Sequence, residues 1–498
     1  MSTRSPSPSQ VEAKATDTNE SLVNKPESVQ DGDVEEVDPA FERKLKWKLD
    51  LFILPIISSV YFFAAMGRSD LANAKIAGLT DELKLSPGDY SNAATVFLVA
   101  YVVFQLPGTL LVKKLRAPYQ FGGAMLAWGF LTMMTVLIQN QAGLLVLRFL
   151  IGAAEAFVQG GVFYLSFWYQ YSELATRGAI FYSMSTLAGA FNGLVAYAIA
   201  ARLDGARGWR AWRWIFLIEG AAPCAFAFVV AALLPAGPAE LRWGFTPREK
   251  ARVVLRSQRG AHNNTSDGAG PDLRRVHRVL RDAHFWLFTL IACASHFCLG
   301  SLSNFLPDII QGFGFEPVSA QLFTIIVYAC AFVGVLFWCR LADRTNARGL
   351  VLAAASSGSV VGYVMLIATT SRNVRFAGTC VLAFFIYSTV VLQLTWAAMN
   401  FVGYTRRGSA LAFFNIISQL FAISGTQAYT DPPYYHKGHI ASLVMVVVMT
   451  ITSLVLRWYL SYLNRKKRAL AAQQVQTTMS QESIEELGDK HPDFMYTI

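Results

Sequence analysis

Residues 143–166 read GLLVLRFLIGAAEAFVQGGVFYLS, 24 positions of which only Arg148 and Glu155 carry a charge. A helix rises about 1.5 Å per residue, so a stretch of this length crosses the roughly 30 Å hydrocarbon layer of a bilayer. The stretch therefore reads as a membrane span. The two charges inside it call for an explanation, because each costs about 2.5–3.5 kcal/mol at the centre of a bilayer.

Similar stretches recur on both sides of this one. Before it they lie near 49–68, 90–112 and 119–138, and after it near 178–201 and 213–234. A hydrophilic segment of about 50 residues follows, and then six more spans near 284–306, 319–339, 350–370, 376–399, 409–429 and 439–461. The expected fold class is an all-α polytopic membrane protein with 12 transmembrane helices in two six-helix bundles. The expected divisions are an acidic disordered tail over 1–46, a first bundle over 47–234, a central loop over 235–283, a second bundle over 284–463 and a tail over 464–498.

Composition agrees. Of 498 residues, 54% are hydrophobic and 15% charged, against about 25% charged in ordinary soluble domains. So few charges cannot coat several soluble globules. The net charge of +10 could suggest a polyanion partner, but its distribution points elsewhere. Residues 1–41 hold nine acidic and three basic side chains, and the tail from Ala469 is also acidic. The basic residues sit between spans, 27 on the side that carries both tails and the central loop against ten on the other. By the positive-inside rule both termini and the loop are cytoplasmic. The expected setting is the plasma membrane, with no nucleic-acid partner. No apolar core precedes the first span, so no cleavable signal peptide is expected. The sequons at Asn263 and Asn264 fall in the cytoplasmic loop and are expected to be silent. The six cysteines form no CxxC and read as apolar filler in helices.

Two six-helix halves joined by a cytoplasmic loop are an arrangement of secondary transporters, with the substrate bound near mid-membrane between them. The run Arg340-Leu341-Ala342-Asp343-Arg344-Thr345-Asn346-Ala347-Arg348 resembles the G-x-L-A-D-R-x-G-R-R/K signature of the major facilitator superfamily, with Cys339 at the opening glycine. The resemblance implies a loop that latches the two halves by charge pairing. Gly67-Arg68-Ser69-Asp70-Leu71-Ala72-Asn73-Ala74-Lys75-Ile76-Ala77-Gly78-Leu79 is similar to a run of the fungal anion:cation symporter family, which includes allantoate-permease-like carriers. Further echoes are the stretches 212–220, 305–310 and 396–400, with Gly403 to Arg407 after the last. They span both halves and neither tail.

Arg148 and Glu155 stand seven residues apart, two helical turns, so they share a face about 10 Å apart. That is too far for a direct ion pair, and each needs another partner or a wet cavity. Gln159 continues this face, and Gly152 leaves room on it. Arg148 suits an anionic substrate, because a guanidinium stays charged when buried. Glu155 in a low-dielectric site can bind and release a proton. Arg68, at the outer end of the first span, offers a second cation. The resemblance implies these same roles for Arg68, Arg148 and Glu155 in organic-anion transport. It also implies a coupling aspartate just before the helix-one arginine, where this chain has Gly67; Asp70, one turn on, is the candidate substitute. The alternative for each is a structural tie to a neighbouring helix.

In the second half, Trp396 and Asn400, at i and i+4, together with Tyr328 and His296, are candidate substrate contacts. Core packing is the competing role. Glu219, beside Arg210 and Arg213 at the start of the sixth span, reads as structural. No ATP-binding motif, HExxH, GxSxG or metal-spaced cluster is present, so neither an enzyme nor a cofactor or metal is expected. The reading is a monomeric secondary transporter of a small carboxylate-bearing anion, coupled to protons by alternating access. Its alternatives are an exporter of acidic secondary metabolites and a transporter-like nutrient sensor.

Overall fold

In hydrocarbon a backbone must satisfy its own hydrogen bonds, so apolar stretches of this length become helices. The computed structural model describes residues 39–498 except 170, 242–243, 263–278, 402–403 and 474–493. The acidic segment 1–38, the sequon residues Asn263, Asn264 and Thr265, and Gly403 of the fourth echo lie outside these described residues. Residues 1–48 and 49–498 form two compact units. Of the first, the described part is the opening of a helix.

Among the described residues, twelve helices are long and apolar enough to cross a membrane. We label them α1 (Pro39–Ala74), α2 (Pro87–Leu115), α3 (Ala117–Met134), α4 (Gln141–Glu155), α5 (Tyr171–Leu203) and α6 (Ala211–Leu233), then α7 (Ala283–Gly312), α8 (Pro317–Thr345), α9 (Arg348–Ala368), α10 (Arg372–Asn400), α11 (Tyr404–Gln427) and α12 (His436–Gln473). Each expected span is a helix, and several run past the apolar window into polar sequence. Leu51, Val103, Phe130, Phe228, Val361 and Trp458 are exposed on their outer faces, as lipid-facing side chains should be.

Local chemistry sets the boundaries. Ser86 opens α2 with a capping box: its Oγ accepts from Asp89 N at 3.2 Å, and Asp89 Oδ2 accepts from Ser86 N at 3.0 Å. Asn140 caps α4 by accepting from Gly143 N at 2.9 Å. Beyond α1 the chain turns at Gly78, whose φ of 96° favours glycine and whose missing Cβ leaves space for the Arg210 side chain.

We call the end bearing the turn between α1 and α2 the distal end, and the end bearing the central loop the proximal end. Within the first half α2 packs on α4 and α3 on α6; within the second, α7 packs on α11 and α12, and α10 on α8 and α9. The halves meet where α5 packs on α8 and α2 on α11.

One proximal feature differs from expectation. The signature loop pairs with itself, Arg348 Nη2 to Asp343 Oδ1 at 2.7 Å, rather than latching the halves through that pair. In the central loop, the helix Pro247–His262 turns Arg256 inward to Glu173 of α5 at 2.6 Å.

The last five residues are packed. Thr497 O accepts from Trp396 Nε1 at 2.8 Å and Asn400 Nδ2 at 3.1 Å, and Thr497 N donates to Asn400 Oδ1 at 2.9 Å. Asn464 of α12 exchanges two hydrogen bonds with the Tyr496 backbone, at 2.8 and 2.9 Å. Deleting residues 494–498 strands these buried amides and the indole N–H, at about 1–3 kcal/mol per orphaned group. The expected result is a lower thermal midpoint of the purified protein. An unchanged midpoint would contradict this clasp.

Candidate functional site

The α4 helix carries Arg148 and Glu155 on one face, 2% and 1% exposed. Just past Glu155 the helix tightens into a 3₁₀ turn, Ala156–Gln159, and resumes at Gly160–Leu165. Glu155 Oε1 accepts from Arg68 Nε at 2.5 Å. Arg68 also donates through Nη2 to the Tyr101 hydroxyl at 2.9 Å, and its guanidinium lies 4.7 Å from the Tyr101 ring centroid. Gln159 donates to the same hydroxyl. Arg68 is therefore not at the outer end of its helix. Six further residues of α1 follow it, because Asp70 and Asn73 find buried partners and the helix need not stop at the apolar edge.

Arg148 is placed differently. Its guanidinium stands 4.8 Å from the Phe97 ring centroid, and its Nε has no hydrogen-bond partner. Among the described residues no carboxylate forms an ion pair with it. Gly152, one turn on, does not leave a gap for a ligand. A Cβ there would lie 2.4 Å from the Phe97 carbonyl oxygen, so the glycine lets α2 approach and brings the Phe97 ring over Arg148.

Asp70 and Glu219 meet through an amide that the sequence reading passed over. Asn192 Nδ2 donates to Asp70 Oδ1 at 2.7 Å, to Glu219 Oε2 at 3.1 Å and to Met66 O at 2.7 Å. Asn73, one turn beyond Asp70, donates to Asn192 Oδ1. Glu219 thus lies well inside α6 and faces α1 and α5, while Arg213 pairs with Glu82 at 2.7 Å. Asp70 Oδ2 lies 3.8 Å from where a Cβ at position 67 would stand, so this carboxyl occupies the neighbourhood of the missing aspartate. The signal available in the sequence was a lone Asn192 in an apolar span between Gly189 and Gly193.

Tyr328 of α8 is buried against Gly189 of α5, with its ring 5.8 Å from that of Tyr387, whose hydroxyl lies 3.4 Å from Ser303 Oγ. It is the second-half candidate that faces the first half. Trp396 and Asn400 are not brought together with Arg148; both are engaged at the proximal end by the C-terminal segment. His296 lies 2.9 Å from the Ala292 carbonyl through Nδ1. A carbonyl only accepts, so that nitrogen carries a proton and is satisfied within its own helix.

The distal end joins the halves above these residues. Lys75 Nζ pairs with Asp308 Oδ2 at 2.7 Å and lies 3.1 Å from the Tyr435 hydroxyl, within a cage of the Tyr90, Phe305 and Tyr435 rings. The Tyr90 hydroxyl donates to Asn304 O at 2.7 Å, and Gln427 donates to Thr95 at 2.7 Å. Three of the sequence echoes converge here: Lys75 from the first, Asp308 from the third, and Trp212 from the second, which donates to Glu82 at 2.6 Å. A surface depression of about 540 Å³ beside Gln139 and Asn140 includes none of the charged residues.

The model of the Major Facilitator Superfamily matches residues 57–426. An uncharacterized transporter of Schizosaccharomyces pombe is 30% identical over 92% of this chain and 93% of its own length. A high-affinity nicotinic acid transporter of Saccharomyces cerevisiae is 29% identical over 91% of this chain and 85% of its own. In fold, the chain is similar to a crystal structure of a bacterial homolog to the human lysosomal transporter Spinster. The TM-score is 0.60 at 15% identity, covering 81% of this chain and 96% of that one. A family model that matches most of the membrane region and relatives aligned over nearly their whole length lead to one conclusion: the chain belongs to the Major Facilitator Superfamily and is a membrane transporter.

Proposed function

We propose that the protein is a proton-coupled carrier of a small carboxylate-bearing organic anion, of the allantoate-permease-like kind, and that Arg148 is its anion site. The observation that carries this reading is the asymmetry between two arginines. Arg68 is neutralised by Glu155, whereas Arg148, almost wholly buried, lies against an aromatic face and forms no ion pair with a carboxylate among the described residues. A buried guanidinium without a carboxylate is costly, and a substrate carboxylate is the partner that would relieve the cost. The likeness to a nicotinic acid transporter points to aromatic monocarboxylates as the first compounds to try.

Glu155 is the proposed proton carrier. When it is protonated its bond to Arg68 weakens, and Arg68 is freed to meet the anion from the α1 side, with Tyr101 and Gln159 holding the vacated end. Tyr328 closes the site from α8. The two halves would rock about α5 and α8 to expose the site to either side, opening the distal seam at Lys75 and Asp308. The plasma membrane with both termini cytoplasmic remains the proposed setting, on the charge count of the loops.

The test is uptake of radiolabelled carboxylates, nicotinate first, into liposomes holding the purified protein, with and without an inward proton gradient. Loss of one partner of a buried charge pair costs about 2–5 kcal/mol. Arg148→Ala is therefore expected to weaken anion affinity by about 30-fold or more while the protein still folds; unchanged affinity would contradict the site. Glu155→Gln is expected to reduce acceleration by the gradient while leaving equilibrium anion exchange measurable. Acceleration in that variant equal to that of the unsubstituted protein would contradict its role.

A further inference from the structure

Asp70, Asn73 and Glu219 are 1%, 2% and 5% exposed, and all three hydrogen-bond to the one amide of Asn192. That amide is overdrawn. Its two hydrogens face three acceptors: Asp70, Glu219 and the Met66 carbonyl. Asp70 Oδ2, Glu219 Oε1 and Asn73 Oδ1 are each left without a donor. The two carboxyls converge on a single nitrogen, Asn192 Nδ2, at 2.7 and 3.1 Å, and no cation among the described residues forms an ion pair with either. Two carboxylates this close in a low-dielectric interior cannot both be ionised without several kcal/mol of penalty. Partnerless acceptors gathered at one point lack a hydrogen.

We infer that Asp70 and Glu219 form a single proton-binding site, one carboxylic acid donating to one carboxylate, distinct from the Arg68–Glu155 pair. This rests on the transport reading above for its use, but not for its existence. The charged and titratable groups facing it from other helices are Arg148 and Glu155 of α4, which act on Asp70 through space, and Tyr90 of α2 beyond Arg148. Arg68, on α1 with Asp70, and Lys75, in the turn just past α1, are engaged by Glu155 and Asp308 respectively. The α8 helix contributes the uncharged Gln321, which donates to Asn73 O at 3.4 Å.

The position couples the proton to both substrate and conformation. An anion seated on Arg148 cancels the positive field at Asp70, so the pair holds its proton more tightly, and by linkage the protonated pair favours the anion. Release to water leaves two carboxylates repelling one another at the junction of α1, α5 and α6. Gly189 and Gly193, on either side of Asn192, lie directly against Tyr328 and Thr324 of α8. Repulsion at the pair therefore strains the seam that closes the distal end.

Infrared difference spectra of the purified full-length protein between acidic and alkaline pH read this site without any substrate. The expected wild-type result is a protonated-carboxyl C=O band that is present at neutral pH, shifts in D2O and is lost at alkaline pH. Asp70→Asn and Glu219→Gln should each remove that loss signal entirely, and the double variant should remove no more, because one proton is shared. Glu155→Gln should keep it. A wild-type protein without such a band overturns the proposal, as do single variants that each remove part of it additively, or that leave it intact. If the band behaves as expected while Arg148→Ala leaves anion uptake unchanged, the anion site fails and the proton pair stands. If Arg148 governs uptake while the band ignores Asp70 and Glu219, the pair alone fails.

Discussion

A buried charge must be answered, and in this protein one answer decides the rest. Arg68 takes Glu155, so the pair seven residues apart on α4 is split: the glutamate is neutralised and the arginine is not. Everything that positions Arg148 follows from helix packing that keeps it unanswered. Gly152 lets α2 lie against α4, the Phe97 ring then covers one face of the guanidinium, and Asp70 is drawn to Asn192 instead. The cation is held in place by neighbours that do not neutralise it, an arrangement suited to a guest that brings its own charge.

The same economy explains the distal seam. Lys75 is paired across the interface with Asp308, within a cage of rings from both halves, Tyr90 from its own and Phe305 and Tyr435 from the other. Opening that end must break a charge pair and uncover aromatic surface, so the closed seam is a discrete state rather than a loose contact. At the proximal end, the polar contacts of Trp396, Asn400 and Asn464 with the last residues tie α10 and α12 to the C-terminal segment within one half. The Lys75–Asp308 charge pair thus joins the halves at the distal end, while the C-terminal clasp at the proximal end stays within one half.

The fold was legible because hydrocarbon imposes a single length scale, and all twelve expected spans are helices. Two-turn spacing also placed Arg148 and Glu155 on one face. What it could not supply was the identity of partners on other helices. Arg68 was legible as a cation near helix one, but not as the ligand of Glu155, since that contact joins residues 87 apart in the chain. Glu219 read as structural because Arg210 and Arg213 are its neighbours in sequence; in space it turns away from both toward Asn192. Trp396 and Asn400 have the composition of a binding face, and the tail that meets them lies nearly a hundred residues downstream. Gly152 was recognised as space, but periodicity cannot say whether a backbone or a ligand fills it.

The central claim is that Arg148 is kept unpaired to receive a carboxylate. Equilibrium binding of nicotinate and of nicotinamide to the purified protein tests it most directly, because the two compounds share a ring and differ in charge. The account predicts saturable binding of nicotinate, or of another small aromatic carboxylate, with its amide counterpart failing to compete. Equal binding of acid and amide, retained when Arg148 is replaced by alanine, would contradict it.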